Sequence, residues 1–221
     1  MNQKKYICVV GLGHFGAELA TNLAQSCEIL AMDSSEKRVN ALVERVQRAV
    51  IMDARDFAAL SSVVTPDFDE AIVTISGNLE ASILCTLHLK KIGVPMIRAK
   101  AISDDHAAIL SSVGAQEVIF PERESARRLA VKIINPNLLD FVSLAEGYEV
   151  QELAPPDSFN GHSIKELELR KQFGVFVIAI KELVPERFVF LPDPSFVIKP
   201  SDILVMIGRQ EDLQRIQEGD L

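Results

Sequence analysis

The chain has 221 residues, 48% of them apolar and 24% charged, and a formal net charge of −8. That composition belongs to a folded globular protein rather than a disordered one, and the acidic balance argues against nonspecific binding to nucleic acid, which needs basic patches against phosphate. The longest unbroken apolar runs, such as residues 175–180, fall far short of the ~18 residues a membrane-spanning helix needs.

The chain enters a strand directly after "MNQKKY", with no apolar signal segment, and the protein is expected to be cytoplasmic. From residue 6 to about residue 120, β-rich runs alternate with amphipathic helical patterns. Strands are predicted at 6–10, 28–32, 48–52, 70–75, 96–100 and 117–120, and helices at 16–26, 36–46, 57–63, 78–92 and 105–113. Such alternation means βαβ units and a parallel sheet. "ICVV" and "AIVTI" are apolar on both faces, as in a sheet covered by helices on each side. Six such strands predict an α/β Rossmann fold, a doubly wound parallel six-stranded sheet.

The rhythm then changes. A helix over 124–134 ends at "NPN", and the rest of the chain is mostly strand: 141–145, 148–154, 175–182, 186–191 and 202–208, with helices at 164–173 and 210–217. The expected division is a nucleotide-binding domain over 1–136 and a small α+β C-terminal domain over 137–221. The second is near the lower practical size for a lone core, and such a domain often dimerises to bury more apolar area.

The chemistry concentrates at the ends of the first strands. Gly11, Gly13 and Gly16 form G-x-G-x-x-G between a strand and a helix. The first glycine allows the tight turn, the second lets the backbone approach a pyrophosphate, and the third lets helix and strand pack closely. The helix start then offers free N–H groups and partial positive charge to phosphate. Asp33 ends the second strand where a carboxylate can accept from ribose hydroxyls, and Ser34 or Ser35 can cap the next helix. Asp53 and Ala54 end the third strand on the adenine side, although an aspartate there can equally cap a helix. Ser76 and Gly77 end the fourth, where the backbone can approach a ligand or simply turn. Lys100 ends the fifth and can meet phosphate charge. Glu122 opens a helix after the sixth, a position the helix dipole favours. His14 and Phe15 lie inside the glycine loop, and a histidine there carries full charge only below its pKa of about 6.5.

Other classes find little support. Cys8, Cys27 and Cys85 form no C-x-x-C pair and read as free thiols in a reducing compartment. His88, His106 and His162 share no metal-ligand spacing. No nucleophile elbow and no Walker A lysine motif occur, and the C-terminal part offers only His162 as a ready general base. An NAD(P)-dependent oxidoreductase remains the alternative, carried by the fingerprint and Asp33. A nucleotide-sensing transcriptional repressor is disfavoured by the acidic charge and the lack of a helix-turn-helix.

The segments "VVGLGHFGAELA", "LAMDSSEKRVNAL", "AVIMDARD", "AIVTISGNLEASILCTLHLKKIGVPMIRAKA" and "GAQEVIFPERESARRLA" together resemble the regulator-of-potassium-conductance (RCK, or KTN) domain. The tail, with "FNGHSIKELELRKQFGVFVIAIK" and "DPSFVIKPSDILVMIGRQEDLQRI", resembles the C-terminal lobe that accompanies it. The chain is similar in its whole layout to the KtrA/TrkA family of cytosolic gating subunits of bacterial potassium uptake. The resemblance implies ATP and ADP as opposing ligands, with NAD(H) in some relatives, and no enzymatic activity. It implies a homodimer that assembles into a ring, commonly an octamer, at the inner face of the membrane beneath a potassium-translocating subunit of the KtrB/TrkH kind. It assigns the phosphates to Gly11, Gly13 and Gly16, the ribose to Asp33, the adenine to Asp53 and Ala54, and a place near the phosphates to Lys100. Glu122 matches the glutamate that helps bind a cation, divalent or monovalent, beside the nucleotide. Members usually carry arginine where this chain has His14. In some relatives the C-terminal lobe binds cyclic di-AMP between two protomers.

Overall fold

The computed structural model describes residues 4–135 and 137–218. The chain forms two compact units, one ending at Glu124 and the other beginning at Ser125.

In the first unit β1 (Tyr6–Val10), β2 (Glu28–Asp33), β3 (Arg48–Ile51), β4 (Glu70–Val73), β5 (Ile97–Lys100) and β6 (Glu117–Ile119) form one sheet in the order β3-β2-β1-β4-β5-β6. Every pairing is parallel, which is the expected Rossmann sheet. Alternation along β1 explains why it is apolar throughout. Ile7 and Val9 face one layer with Ala20 and Val39, while Cys8 and Val10 face the other with Leu60, Cys85, Leu89 and Leu110. Both faces of the sheet are therefore covered. Cys8, Cys27 and Cys85 are free, and burial pushes the Cys8 thiol up to about 12 and raises that of Cys85, so neither buried thiol ionises near neutral pH.

The helices are α1 (His14–Leu23), α2 (Glu36–Asn40), α3 (Phe57–Ser61), α4 (Leu79–Ile92), α5 (Asp104–Val113) and α6 (Pro121–Ile134), the last crossing from one unit to the other. Three of them, α3, α4 and α5, start on side chains that accept orphan N–H groups. Asp56 takes that of Ala59, Asn78 that of Ala81, and Ser103 that of His106. The segment predicted as helix over 36–46 is helical only to Asn40. Beyond it the N–H of Leu42 bonds to Val39 O and that of Arg45 to Leu42 O, so the chain tightens into short turns. Val39, Leu42 and Val46 are nevertheless all buried, and this spacing produced the helical signal.

In the second unit β7 (Leu138–Ala145), β8 (Tyr148–Leu153), β9 (Phe176–Leu183), β10 (Glu186–Phe190) and β11 (Ile203–Arg209) form an antiparallel sheet in the order β10-β9-β11-β8-β7. With α7 (Leu169–Phe173) and α8 (Gln210–Glu218) it encloses a core around Phe159, Ile180, Leu204, Met206, Leu213 and Ile216. This is the small α+β fold expected there. The helix predicted over 164–173 is reduced to α7. The N–H groups of Ile164 and Lys165 bond to the carbonyls of Phe196 and Pro194, and Glu168 has φ of 43°, a left-handed conformation that no α-helix continues through.

Candidate functional site

In the six-stranded sheet the chain runs outward from β1 in one direction through β2 and β3, and in the other through β4, β5 and β6. The crevice outside the carboxyl ends of the strands at this reversal is where doubly wound folds bind ligands. A cavity of about 380 Å³ lies there. Gly11, Gly13, Asp33, Ser34, Asp53, Ala54, Ser76 and Gly77 all line it, so residues from the ends of β1, β2, β3 and β4 meet at one place. Gly16, His14, Phe15, Lys100 and Glu122 are not part of its lining.

Each fingerprint glycine has its own physical reason. Gly11 has φ of 97°, and a Cβ there would fall 2.9 Å from Ile75 N, so both conformation and space require glycine. A Cβ on Gly16 would collide with the Gly11 carbonyl oxygen and the Thr74 hydroxyl, which fixes how closely α1 packs on the sheet. Gly13 is different: a Cβ there would meet nothing within 4 Å. It is the N-cap of α1, gives the first turn no side-chain acceptor, and is followed by no acidic residue in that turn. The helix start thus presents N–H groups and positive potential at the cavity wall.

Asp33 is 7% exposed. Its Oδ2 accepts the N–H of Leu12 at 2.6 Å and its Oδ1 that of Ser35 at 2.8 Å. One carboxylate thereby ties the glycine loop to the end of β2 and the start of α2, and lone pairs remain on both oxygens for a ligand. Ser35 is the N-cap of α2 but makes no side-chain cap bond; the Asp33 carboxylate instead takes the N–H of Ser35 itself. After β3 the capping aspartate is Asp56, not Asp53. Asp53 instead faces Arg55, whose hydrogen bonds hold its carboxyl below the usual range.

A second group forms at the ends of β5 and β6. Lys100 is buried, its Nζ donates to Glu122 Oε1, and its ammonium lies 5.7 Å from the centroid of the Phe15 ring. That hydrogen bond lowers the pKa of Glu122. Lys100 thus joins the glycine loop to the start of α6. Among the described residues no group of three or more His, Cys, Asp and Glu is placed to hold a metal ion. Glu122 is paired with Lys100. His14, the first residue of α1, is exposed.

Eight lining residues were not singled out in the sequence, two of them charged. Arg38, on α2, places Nη1 3.3 Å from Asp33 Oδ2, and Arg55 grips Asp53 through Nε and Nη2. The Asp-x-Arg spacing of 53 and 55 was the available signal for the second.

A cavity of about 500 Å³ in the second unit is lined by Ile164, Lys165, Arg170, Phe176 and Pro194 among others. The Arg170 guanidinium lies 5.0 Å from the Phe176 ring centroid. No described helix is long and apolar enough to cross a membrane.

Comparison with known proteins identifies both parts of the chain. Residues 7–121 match the TrkA-N domain and residues 150–218 the TrkA-C domain. The chain is 36% identical to Ktr system potassium uptake protein C of Bacillus subtilis (strain 168) over 216 residues, covering 97% of each. It is 32% identical to Ktr system potassium uptake protein A of the same organism, covering 97% of this chain and 96% of that one. Among solved structures, the GsuK channel superposes with a TM-score of 0.67 at 18% identity, over 96% of this chain and 39% of the channel chain, and so shares the fold. The chain belongs to the family of potassium uptake proteins built from a TrkA-N and a TrkA-C domain, the family of the Ktr system.

Proposed function

We propose that this protein is the nucleotide-binding regulatory subunit of a potassium uptake system, working without breaking a bond in its ligand. The observation that carries the reading is the crevice itself. Gly13 and the uncapped start of α1 lie beside Asp33, in one cavity large enough for an adenosine moiety and its phosphates. The family relatives are named as potassium uptake proteins over nearly their full length. Among the described residues no histidine or cysteine lines the cavity, and its two carboxylates are held by N–H donors and arginines. This is a site suited to binding.

In this reading Gly11, Gly13 and Gly16 shape the phosphate turn, with Ser76 and Gly77 opposite. Asp33 and Ser34 take the ribose, and Asp53 and Ala54 flank the adenine. ATP and ADP are the opposing ligands, with NAD(H) the competing occupant. Lys100 turns to the phosphates and Glu122 to a cation when the nucleotide is bound. Nucleotide occupancy shifts an assembly only by its differential affinity for two shapes, and several identical sites add their biases. The assembly is a homodimer built into a ring, an octamer, docked on a potassium-translocating membrane subunit of the KtrB/TrkH kind at the inner face of the membrane. Its dimer surfaces draw on the exposed apolar side chains Leu129, Ile133 and Ile134 of α6 and Val142 and Leu144 of β7. The nucleotide-binding domain extends functionally through α6 to residue 136, beyond the compact unit that ends at Glu124, and the Lys165–Arg170–Phe176 cavity takes cyclic di-AMP.

The test is calorimetric titration with ATP, ADP, NADH and cyclic di-AMP, with and without divalent cation, followed by potassium flux in the reconstituted system. Adenine-nucleotide binding that changes flux without net hydrolysis supports the reading. Hydride transfer to a substrate, with no response of flux to nucleotide, would replace it with the oxidoreductase alternative.

A further inference from the structure

We propose that Arg55 sets the base specificity of this cavity, its guanidinium forming a flat wall on which a purine stacks; the proposal rests on the nucleotide-binding reading above. Arg55 lies in the loop between β3 and α3, whose Met52, Asp53 and Ala54 also line the cavity. β3 lies two strands from β1 in the sheet, so this loop bounds the cavity away from the glycine turn, where a nucleotide with its phosphates at the turn places its base.

The Asp53–Arg55 pair fixes the orientation of the guanidinium. Nε donates to both carboxylate oxygens at 3.0 and 3.1 Å, and Nη2 donates to Oδ2 at 2.7 Å. The Arg55 backbone N–H also donates to Asp53 Oδ1 at 3.0 Å, so the carboxylate is itself anchored to the loop. This side-on, two-nitrogen grip uses one edge of the guanidinium and lies in its plane. Its two faces stay available, and Nη1 has no hydrogen-bond partner among the described residues. Opposite lies the start of α4, where Asn78 and Ala81 line the cavity and Glu80 is near enough to act electrostatically on Arg55. The pair is about half exposed, with side-chain accessibilities of 45% and 44%. As a surface ion pair it adds little stability; as a clamp it holds a planar cation in the wall of the cavity, the arrangement that stacks on an aromatic base. The carboxylate also cancels the charge that would otherwise draw a phosphate to this end. The site therefore selects a purine at the Arg55 end and phosphate at the Gly13 end. Lysine cannot substitute, because an ammonium has no flat face.

The experiment is calorimetric titration of wild type, Arg55→Ala and Arg55→Lys with ADP, CDP and inorganic pyrophosphate, with thermal unfolding to verify that each variant folds. Wild type should bind ADP more tightly than CDP by roughly tenfold, because the larger ring stacks better. Both variants should lose about fivefold or more in ADP affinity and bring ADP and CDP closer together, with pyrophosphate affinity unchanged. Arg55→Lys retaining wild-type ADP affinity and preference would show that charge alone acts, and would overturn the proposal. So would wild-type behaviour in Arg55→Ala, or a variant that weakens pyrophosphate as much as ADP. Failure of the wild type to bind ADP would instead overturn the nucleotide-binding reading, and this inference with it.

Discussion

The buried Lys100 ammonium and the exposed Glu122 carboxylate are partners, although 22 residues and two elements of structure separate them. The lysine ends β5, the glutamate lies in the first turn of α6, and Phe15 of the glycine loop sits 5.7 Å from the same ammonium. One buried cation therefore touches both the glycine loop and the helix that leaves the first unit. Under the proposed function, a phosphate arriving at the loop would compete with Glu122 for Lys100, and the carboxylate released in that way would take a cation.

Glu122→Gln should accordingly remove the effect of divalent cation on nucleotide affinity while the ligand-free protein becomes less stable, because Lys100 then lacks its anion. Calorimetry with and without magnesium, paired with thermal unfolding, reads both. An intact cation effect would take Glu122 out of the site.

The same pair gives a pH dependence of defined sign. The hydrogen bond from Lys100 holds the Glu122 pKa below its ordinary value of 4.5. A group depressed on folding stabilises the native state above its unfolded pKa, and that contribution fades as pH falls through the folded value. Wild type should therefore lose stability on acidification below about pH 4.5 more steeply than Glu122→Gln. Parallel curves in urea titrations across that range would contradict the assigned pairing.

The glycines should separate by mechanism. Gly16→Ala forces a methyl against the Gly11 carbonyl and the Thr74 hydroxyl, and overpacking of this sort costs about 1–3 kcal/mol. Gly13→Ala has open space on the protein side, so it should fold with near wild-type stability and still lose nucleotide affinity, its methyl occupying the path of the phosphates. Denaturant unfolding beside nucleotide titration distinguishes the two. A Gly13→Ala protein that binds normally would move the phosphates elsewhere.

Asp33→Asn keeps the shape of a side chain that accepts the N–H groups of Leu12 and Ser35, but it loses one acceptor oxygen and the charge. Adenine-nucleotide binding should weaken by about 1–3 kcal/mol, the usual cost of removing a charged hydrogen-bond partner. Part of the loss will appear as lower stability of the free protein, since Leu12 N–H lies in a buried bond. Unchanged affinity would remove Asp33 from the ribose.

Much of the first unit is legible in local pattern. Gly11 and Gly16 are dictated by backbone conformation and close approach, and Asp33 by its place at the end of the second strand, all within 23 residues of one another. The six parallel strands emerge from apolar runs alternating with helical ones. The features that escaped depend on pairing across the chain. Lys100 is legible as a charged strand end and Glu122 as an acidic helix start, but not as partners, because no short-range pattern reports a contact between a strand end and a distant helix start. Arg38 and Arg55 carry no signal of their own in the sequence, and only the fold places them at a cavity. The helix predicted over 164–173 fails at Glu168 for a similar reason: Ile164 and Lys165 give their N–H groups to the chain at Phe196 and Pro194, a tertiary preference that helical periodicity does not register.

Nucleotide binding at this crevice is tested most directly by calorimetric titration of the wild-type chain with ADP and ATP, repeated on Gly13→Ala and Asp33→Asn. A saturable site is expected in the wild type, with a marked loss of affinity in both variants, each still folded. Wild type with no adenine-nucleotide site, or binding that both variants leave intact, would contradict it.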